Sequence, residues 1–443
     1  MGGYIPSSSD ERQKMLDQLG MADIGDLFSH IPQEVLLKKP LDLPEGLSEL
    51  EVRRAMEKIA SKNRRFDTIF RGAGSYNHYI PSVVKHIAAK EDYVTAYTPY
   101  QAELSQGLLQ GIFEYQSMIC ALTGMDASNA SVYDGSAAAA EAALMCRERG
   151  RNALIVAGSC DPQTLHVIRT YCSAAGMEVI EAAAKDGRAD ADAIASAAGA
   201  GTAAVYIQQP NFFGLLEDVE KIGAIAHEAG ARYIVGVNPI SLAVLKTPAE
   251  CGADIAVGEG QPLGIPLSFG GPYLGFMACK SAMTRKLPGR IVGETLDIHG
   301  KRAYVLTLQA REQHIRREKA GSSICSNQAL CALTAAVYMS AMGPAGMKDA
   351  AVQCMSKAAY AADKITAIPG FKLYFDGPFF HEFVTQGPVA SSVVLARLEE
   401  QGILGGYPLF GDDSGCILWC VTEMNTREEI DRLAEILKEV AAV

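Results

Sequence analysis

Apolar and polar positions change rhythm along this chain in a way that separates strands from helices. From about 103 to 123 the apolar residues recur at helical spacing, and after Asn152 short apolar runs alternate with helical stretches. The runs ALIVA at 153–157, EVIEA at 178–182, AAVYI at 203–207 and YIVGV at 233–237 read as buried strands, with helical periodicity between them. Apolar strands separated by helices predict an α/β fold with a mainly parallel sheet covered on both faces, its ligands at the strands' C-terminal ends. No GxGxxG follows these strands, which disfavours a dinucleotide fold.

Two further apolar runs, 255–257 and 274–279, stand close together around a loop containing Gly270, Gly271 and Pro272, where only backbone can come near a ligand. Before the sheet, Met15, Leu16, Leu19, Ile24, Leu27 and Phe28 carry helical spacing, and Ser48 with Glu51 three residues on predicts a capping box. That segment has little core of its own and is expected to pack on the main body or on a partner. After the sheet, helices are predicted at 328–341 and 347–368, the second ended by Pro369-Gly370. Apolar strands, a helix at 389–401 and a last helix capped by Thr426 with Glu429 complete a small α+β region. The predicted division is an N-terminal helical arm over 1–64, a large α/β domain over 65–340 and a small domain over 341–443.

The chain has 443 residues, 49% of them hydrophobic, enough for two cores and an arm. A net charge of −11 argues against nucleic acid or an anionic membrane as the main partner. No window approaches the ~20 consecutive apolar residues of a membrane span, and the N-terminus lacks a charged-then-apolar leader pattern, so the expected location is the cytoplasm. Eleven cysteines, most in apolar runs, fit reduced core thiols; Cys416 and Cys420 share a strand face but have no second Cys/His pair to complete a zinc site.

Four stretches carry candidate chemistry. Tyr97-Thr98-Pro99-Tyr100-Gln101 sets hydroxyl, amide and aromatic groups around a proline-stiffened turn, which serves either as a helix entry or as a binding loop. Asp134-Gly135-Ser136 opens an alanine-dense helix and offers free N–H groups to an anion, or forms a plain N-cap. The loop Gln208-Gln209-Pro210-Asn211-Phe212-Phe213-Gly214 and the pair Asn238-Pro239 follow two strand ends. Arg311, His314, Arg316, Arg317 and Lys319 form a basic cluster, either a solvated face or an interface and anion contact.

The text from Phe66 to about Leu144, the stretch 254–280 and LPGRIVGETLDIHGKRAYVLTLQAREQHIRREKAGSSICSNQ resemble the glycine cleavage system P-protein, a glycine decarboxylase dependent on pyridoxal phosphate (PLP). The chain is similar over nearly its whole length to the N-terminal half of long P-proteins, the alpha-type subunit of split ones. The resemblance implies the aspartate aminotransferase fold (fold type I), with the cofactor phosphate at Gly135 and Ser136. It also implies that Gln261 stands where the lysine-bearing half carries its Schiff-base lysine, and Asn238 near the aspartate that pairs with the ring nitrogen. No lysine lies between Lys246 and Lys280. The implied function is that of a subunit, with PLP bound covalently by a lysine-bearing beta-type partner and the aminomethyl group of glycine passed to lipoylated H-protein. Thr98, Tyr100 and Gln101 would then reach the partner's site. Two alternatives stay open: a self-sufficient PLP enzyme using Lys246 or Lys280, and a non-catalytic scaffold or regulator.

Overall fold

The computed structural model describes residues 7–39, 41–268, 270–411 and 413–442. It divides into two compact units, Met1–Arg64 and Arg65–Val443. In the first, helices α1 (Ser9–Gln18) and α2 (Glu49–Ala60) each begin with a capping box, Ser8 with Glu11 and Ser48 with Glu51. Leu16 is the buried apolar residue among those described here, and α2 buries none.

The second unit is built on a seven-stranded sheet. Its strands are β1 (Ala127–Ser128), β2 (Ala153–Ala157), β3 (Glu178–Ala182), β4 (Thr202–Gln209), β5 (Arg232–Val237), β6 (Ile255–Glu259) and β7 (Gly275–Cys279). They lie in the order β1-β7-β6-β5-β4-β2-β3. From β3 to β6 the sheet is parallel, and β7 runs antiparallel to both β6 and β1. The connection 260–274 has no helix among its described residues to carry a parallel crossover, so the chain returns beside β6 in the opposite direction. Register aligns the ends of three strands, with Gln208 opposite Gly236, Gln209 opposite Val237 and Val237 opposite Gly258.

The period-two alternation of each strand feeds two cores. Leu154, Val156, Tyr206 and Val257 face helices α3 (Gly135–Met145) and α4 (Pro162–Ala174). Ile155, Val205, Val235 and Phe276 face the other layer, which includes a 329–366 helix. Alanine density lets α3 lie close on the sheet: Ala138, Ala139, Ala140, Ala142 and Ala143 are all buried.

That long helix, α5 (Ala329–Thr366), leaves helical geometry at Gly343 (φ 59°, ψ 179°) before Pro344, so it is two helices meeting at a kink. One 18-residue window of it is long and apolar enough to cross a membrane, with a mean hydropathy of 1.3. This corrects the expectation that no window comes near a span. Its Ala332, Ala335 and Tyr338 pack in the core under the sheet and its Ala358, Ala361 and Ile365 in a third core.

The third core belongs to a four-stranded antiparallel sheet of β8 (Lys372–Leu373), β9 (Glu382–Gln386), β10 (Tyr407–Leu409) and β11 (Cys416–Cys420), ordered β8-β9-β11-β10. Trp419 is fully buried there, its indole N–H donating to Thr385 Oγ1 at 2.8 Å. Thr68–Ile69 pairs in parallel with Ile403–Leu404, and Phe70 sits in the same core. The start of the second unit is thus structurally part of the small layer, a long-range pairing that crosses the 65–340 and 341–443 division.

Candidate functional site

Where β4, β5 and β6 end together, the second unit holds a cavity of about 410 Å³. Its wall includes Asn238 and Pro239 after β5, Glu259 at the end of β6, Gly135 and Ser136 at the start of α3, and Tyr206 from β4. The strand registry brings these together with Asp161, the N-cap of α4, which accepts from Thr164 Oγ1 at 2.9 Å. Ser75 and Tyr273 close another side, joined by a 2.8 Å hydroxyl hydrogen bond.

Gln261 stands beside this cavity but its amide is turned into the fold. Its carbonyl oxygen accepts from the Tyr76 N–H at 2.8 Å, and its NH2 donates to the Tyr76 and Ile265 carbonyls at 2.9 and 2.8 Å. Only 1% of the residue is exposed. Asn238 Oδ1 accepts from the Ile240 N–H at 2.9 Å, and its Nδ2 lies 3.3 Å from Nε2 of the buried His381. Gly270, Gly271 and Pro272 are not among the cavity-lining residues; the loop contributes Tyr273 instead.

Gly135 and Ser136 are at the helix start, as expected, but the anion position is occupied from within. Glu259 Oε2 accepts from the Gly135 N–H at 2.9 Å, and its Oε1 accepts from the Gln261 and Leu274 N–H groups, each at 2.9 Å. Burial pushes the Glu259 carboxyl up to about 7, against those three N–H groups, which favour its charged form. Ser136 Oγ is 3.0 Å from Thr164 Oγ1.

Behind the wall lies a chain of buried titratable groups. His381 is held down to about 3 by burial and then by the neighbouring His78. Burial works against ionisation of Glu423, but the 2.8 Å hydrogen bond and charge of His78 prevail and hold it at about 2. Glu382 accepts from the Ala73 N–H at 2.7 Å and from Tyr76 Oη at 2.9 Å, and burial pushes it up to about 7. Sequence reasoning missed Glu259, Tyr206, His381, Glu382 and Glu423, polar or aromatic residues in or beside apolar runs.

Thr98, Tyr100 and Gln101 lie elsewhere. Tyr100 Oη is 3.2 Å from Arg290, whose guanidinium stacks over the Tyr100 ring at 4.9 Å from its centroid and is ion-paired with the buried Glu312. Beside this pair is a cavity of about 400 Å³ whose wall includes His314, Arg317 and Cys325. Arg311, Arg316 and Lys319 line an adjoining cavity of about 290 Å³ that shares Glu312 and Ile324 with that one. Lys246 is ion-paired with Glu220 at 2.5 Å and Lys280 with Asp254 at 3.1 Å, and neither lines the 410 Å³ cavity.

The family model for the glycine cleavage system P-protein matches residues 2–437. The chain belongs to the glycine cleavage system P-protein family. It is 51% identical over 443 residues to the probable glycine dehydrogenase (decarboxylating) subunit 1 of Moorella thermoacetica, covering 99% of this chain and 100% of that one. A solved glycine decarboxylase (P-protein) of the glycine cleavage system, in inhibitor-bound form, superposes with a TM-score of 0.92 at 42% identity, covering 99% and 100%. Glutamate decarboxylase of Lactobacillus brevis shares the fold alone, with a TM-score of 0.68 at 13% identity over 92% and 95% of the two chains. The architecture is that of fold type I PLP-dependent enzymes.

The residues of this P-protein family member's own cavity do not fit that cofactor. Among the described residues no lysine lines it, Gln261 has its amide locked to backbone, and Glu259 fills the anion position at Gly135. Asn238 brings an amide and no carboxylate to the cavity wall.

Proposed function

We propose that this chain is the structural and interface subunit of a cytoplasmic two-subunit glycine decarboxylase. The assembly decarboxylates glycine with PLP and passes the aminomethyl group to the lipoyl arm of H-protein. A lysine-bearing beta-type partner holds the cofactor covalently. The observation that carries this reading is the locked Gln261 amide: an amide has no nucleophilic amine to condense with an aldehyde, and this one already has both its carbonyl oxygen and its NH2 engaged by backbone. What this chain presents to the partner's site is the turn bearing Thr98, Tyr100 and Gln101, with Thr98 and Gln101 as hydrogen-bond donors and Tyr100 packing on Arg290.

The test begins with the purified chain, with and without a co-expressed partner, assayed for glycine–bicarbonate exchange. Activity is expected only with the partner, and borohydride treatment of the isolated chain with PLP should leave no pyridoxyl-lysine. A stoichiometric adduct on Lys246 or Lys280 would favour the self-sufficient enzyme. Unchanged exchange by the partner when this chain is added would favour a scaffold. Within the assembly, Thr98→Val and Gln101→Ala are each expected to lower exchange by about 100-fold to 1000-fold, the effect of removing one positioned donor from a desolvated site, whereas Tyr100→Phe keeps the packing ring and is expected to lower it less. Intact assembly with unchanged rates for all three would reduce the turn to a helix entry.

A further inference from the structure

A cavity with a helix start at its wall ordinarily attracts phosphate. Helix α3 offers its first N–H groups toward the strand ends, the arrangement that binds anions in many folds. Two of those groups are already engaged by side chains of this chain. Asp134 Oδ1 accepts from the Ala137 N–H at 2.7 Å, and Glu259 Oε2 accepts from the Gly135 N–H at 2.9 Å. Glu259 is held in place from the other side by the Gln261 and Leu274 N–H groups. Packing is close enough that a Cβ at Gly135 would lie 2.8 Å from the Glu259 nitrogen, so strand end and helix start have no play between them.

The rest of the wall agrees. Asp134, Asp161 and Glu259 supply three carboxyl groups, and no lysine, arginine or histidine is among the lining residues to balance them. Tyr206 is 3% exposed and lies in the cavity wall. Its hydroxyl sits over Gly236, where a Cβ would come within 2.5 Å of it.

We infer that the Glu259 carboxyl is a built-in acceptor that takes the place of a ligand phosphate at the start of α3, and so bars phosphate esters from this chain's own cavity while leaving room for a small phosphate-free polar ligand. The inference rests on the reading that the cofactor belongs to the partner. It adds the residue responsible, because loss of the lysine alone would leave a phosphate position able to capture the cofactor without a covalent bond. Capture of that kind would withdraw cofactor from the partner and hold it where nothing can be done with it.

The experiment uses the full chain and two probes that lack an aldehyde, pyridoxine 5′-phosphate and pyridoxine, in equilibrium dialysis or calorimetry. Wild type is expected to show no preference for the phosphorylated probe. Glu259→Ala, which frees the Gly135 N–H, is expected to bind pyridoxine 5′-phosphate at least about tenfold more tightly than wild type does, with no gain for pyridoxine. Glu259→Gln, which keeps an acceptor and removes the charge, should give a smaller gain and covers the case in which the alanine variant fails to fold. A folded alanine variant with no gain would overturn the inference. So would wild type favouring the phosphorylated probe by tenfold, a result that needs no variant to fold. A pyridoxyl-lysine on the isolated wild-type chain after borohydride treatment with PLP would instead overturn the partner reading, so the two failures are distinguishable.

Discussion

His381 shows how a single buried side chain can set part of the pH response of the whole unit. The imidazole is 1% exposed, its Nδ1 has no partner among the described residues, and burial followed by His78 holds it down to about 3. Unfolded, the same ring protonates near the ordinary value of about 6.5. Between those values the unfolded chain binds a proton that the native chain does not, so the contribution of His381 to stability is fully present above about 6.5 and is lost as pH falls through that window. The sign is opposite for Glu259 and Glu382, both pushed up to about 7, whose native forms keep a proton the unfolded chain releases. A wild-type profile alone therefore mixes the two. The difference between wild type and His381→Gln isolates one, and it should shrink by about 1.4 kcal/mol per pH unit below about 6.5 in urea unfolding. A difference independent of pH would show that His381 is not neutral in the native state. None of this was legible in the sequence. FFHEFVTQ reads as an apolar strand, and neither spacing nor composition tells that its histidine and glutamate point into one buried network with His78 and Glu423. Gln261 and Asn238 were singled out by a resemblance alone, and their hydrogen-bond partners were not legible.

Elements were more legible than side chains, because apolar runs bounded by glycine and proline report their own burial. The runs at 153–157 and 178–182 coincide with β2 and β3, and the break between 341 and 347 falls where Gly343 and Pro344 kink α5. What the pattern could not give was pairing across hundreds of residues, such as Thr68–Ile69 beside Ile403–Leu404. Local backbone contact was equally hidden, and the junction of β6 with α3 is the instance with consequences. Gly135 is there because the helix start must touch the strand end: an added Cβ would stand 2.8 Å from the Glu259 nitrogen and 2.9 Å from its Cβ. In a helix interior alanine is ordinarily favoured over glycine by up to ~1 kcal/mol. Here the clash reverses that order, and Gly135→Ala is expected to destabilise the chain by about 1–3 kcal/mol, the usual cost of overpacking. Thermal unfolding checks it, and an unchanged or raised midpoint would mean that β6 and α3 have the freedom to separate, which would also weaken the case for Glu259 as a fixed acceptor.

At the level of the molecule, the two units differ in how they satisfy their apolar residues. The unit 65–443 has two cores on the large sheet and a third around Trp419 and Phe383. The unit 1–64 buries Leu16 and leaves Leu19, Val35, Leu37, Leu43 and Ile59 more than half exposed. Its helices owe their starts to capping boxes, which hold helix ends but supply no core. Exposed apolar residues on this scale mark a surface that another surface covers, and burial of such area stabilises an interface by roughly 25 cal/mol per Å². The helical spacing of this segment was read as an arm with little core of its own, and under the proposed assembly its exposed apolar residues would serve as an association element. A chain of residues 65–443 should therefore keep its unfolding midpoint within about 4 °C of the full-length value, since a domain of this size shifts by about 2–4 °C per kcal/mol and the arm adds little internal stability. Its affinity for the lysine-bearing partner, measured by sedimentation or light scattering, should fall at least about tenfold, and exchange activity at limiting subunit concentration should fall with it. A truncated chain that unfolds far below wild type would make the arm part of the fold. One that assembles with unchanged affinity would leave those apolar residues without the role assigned to them.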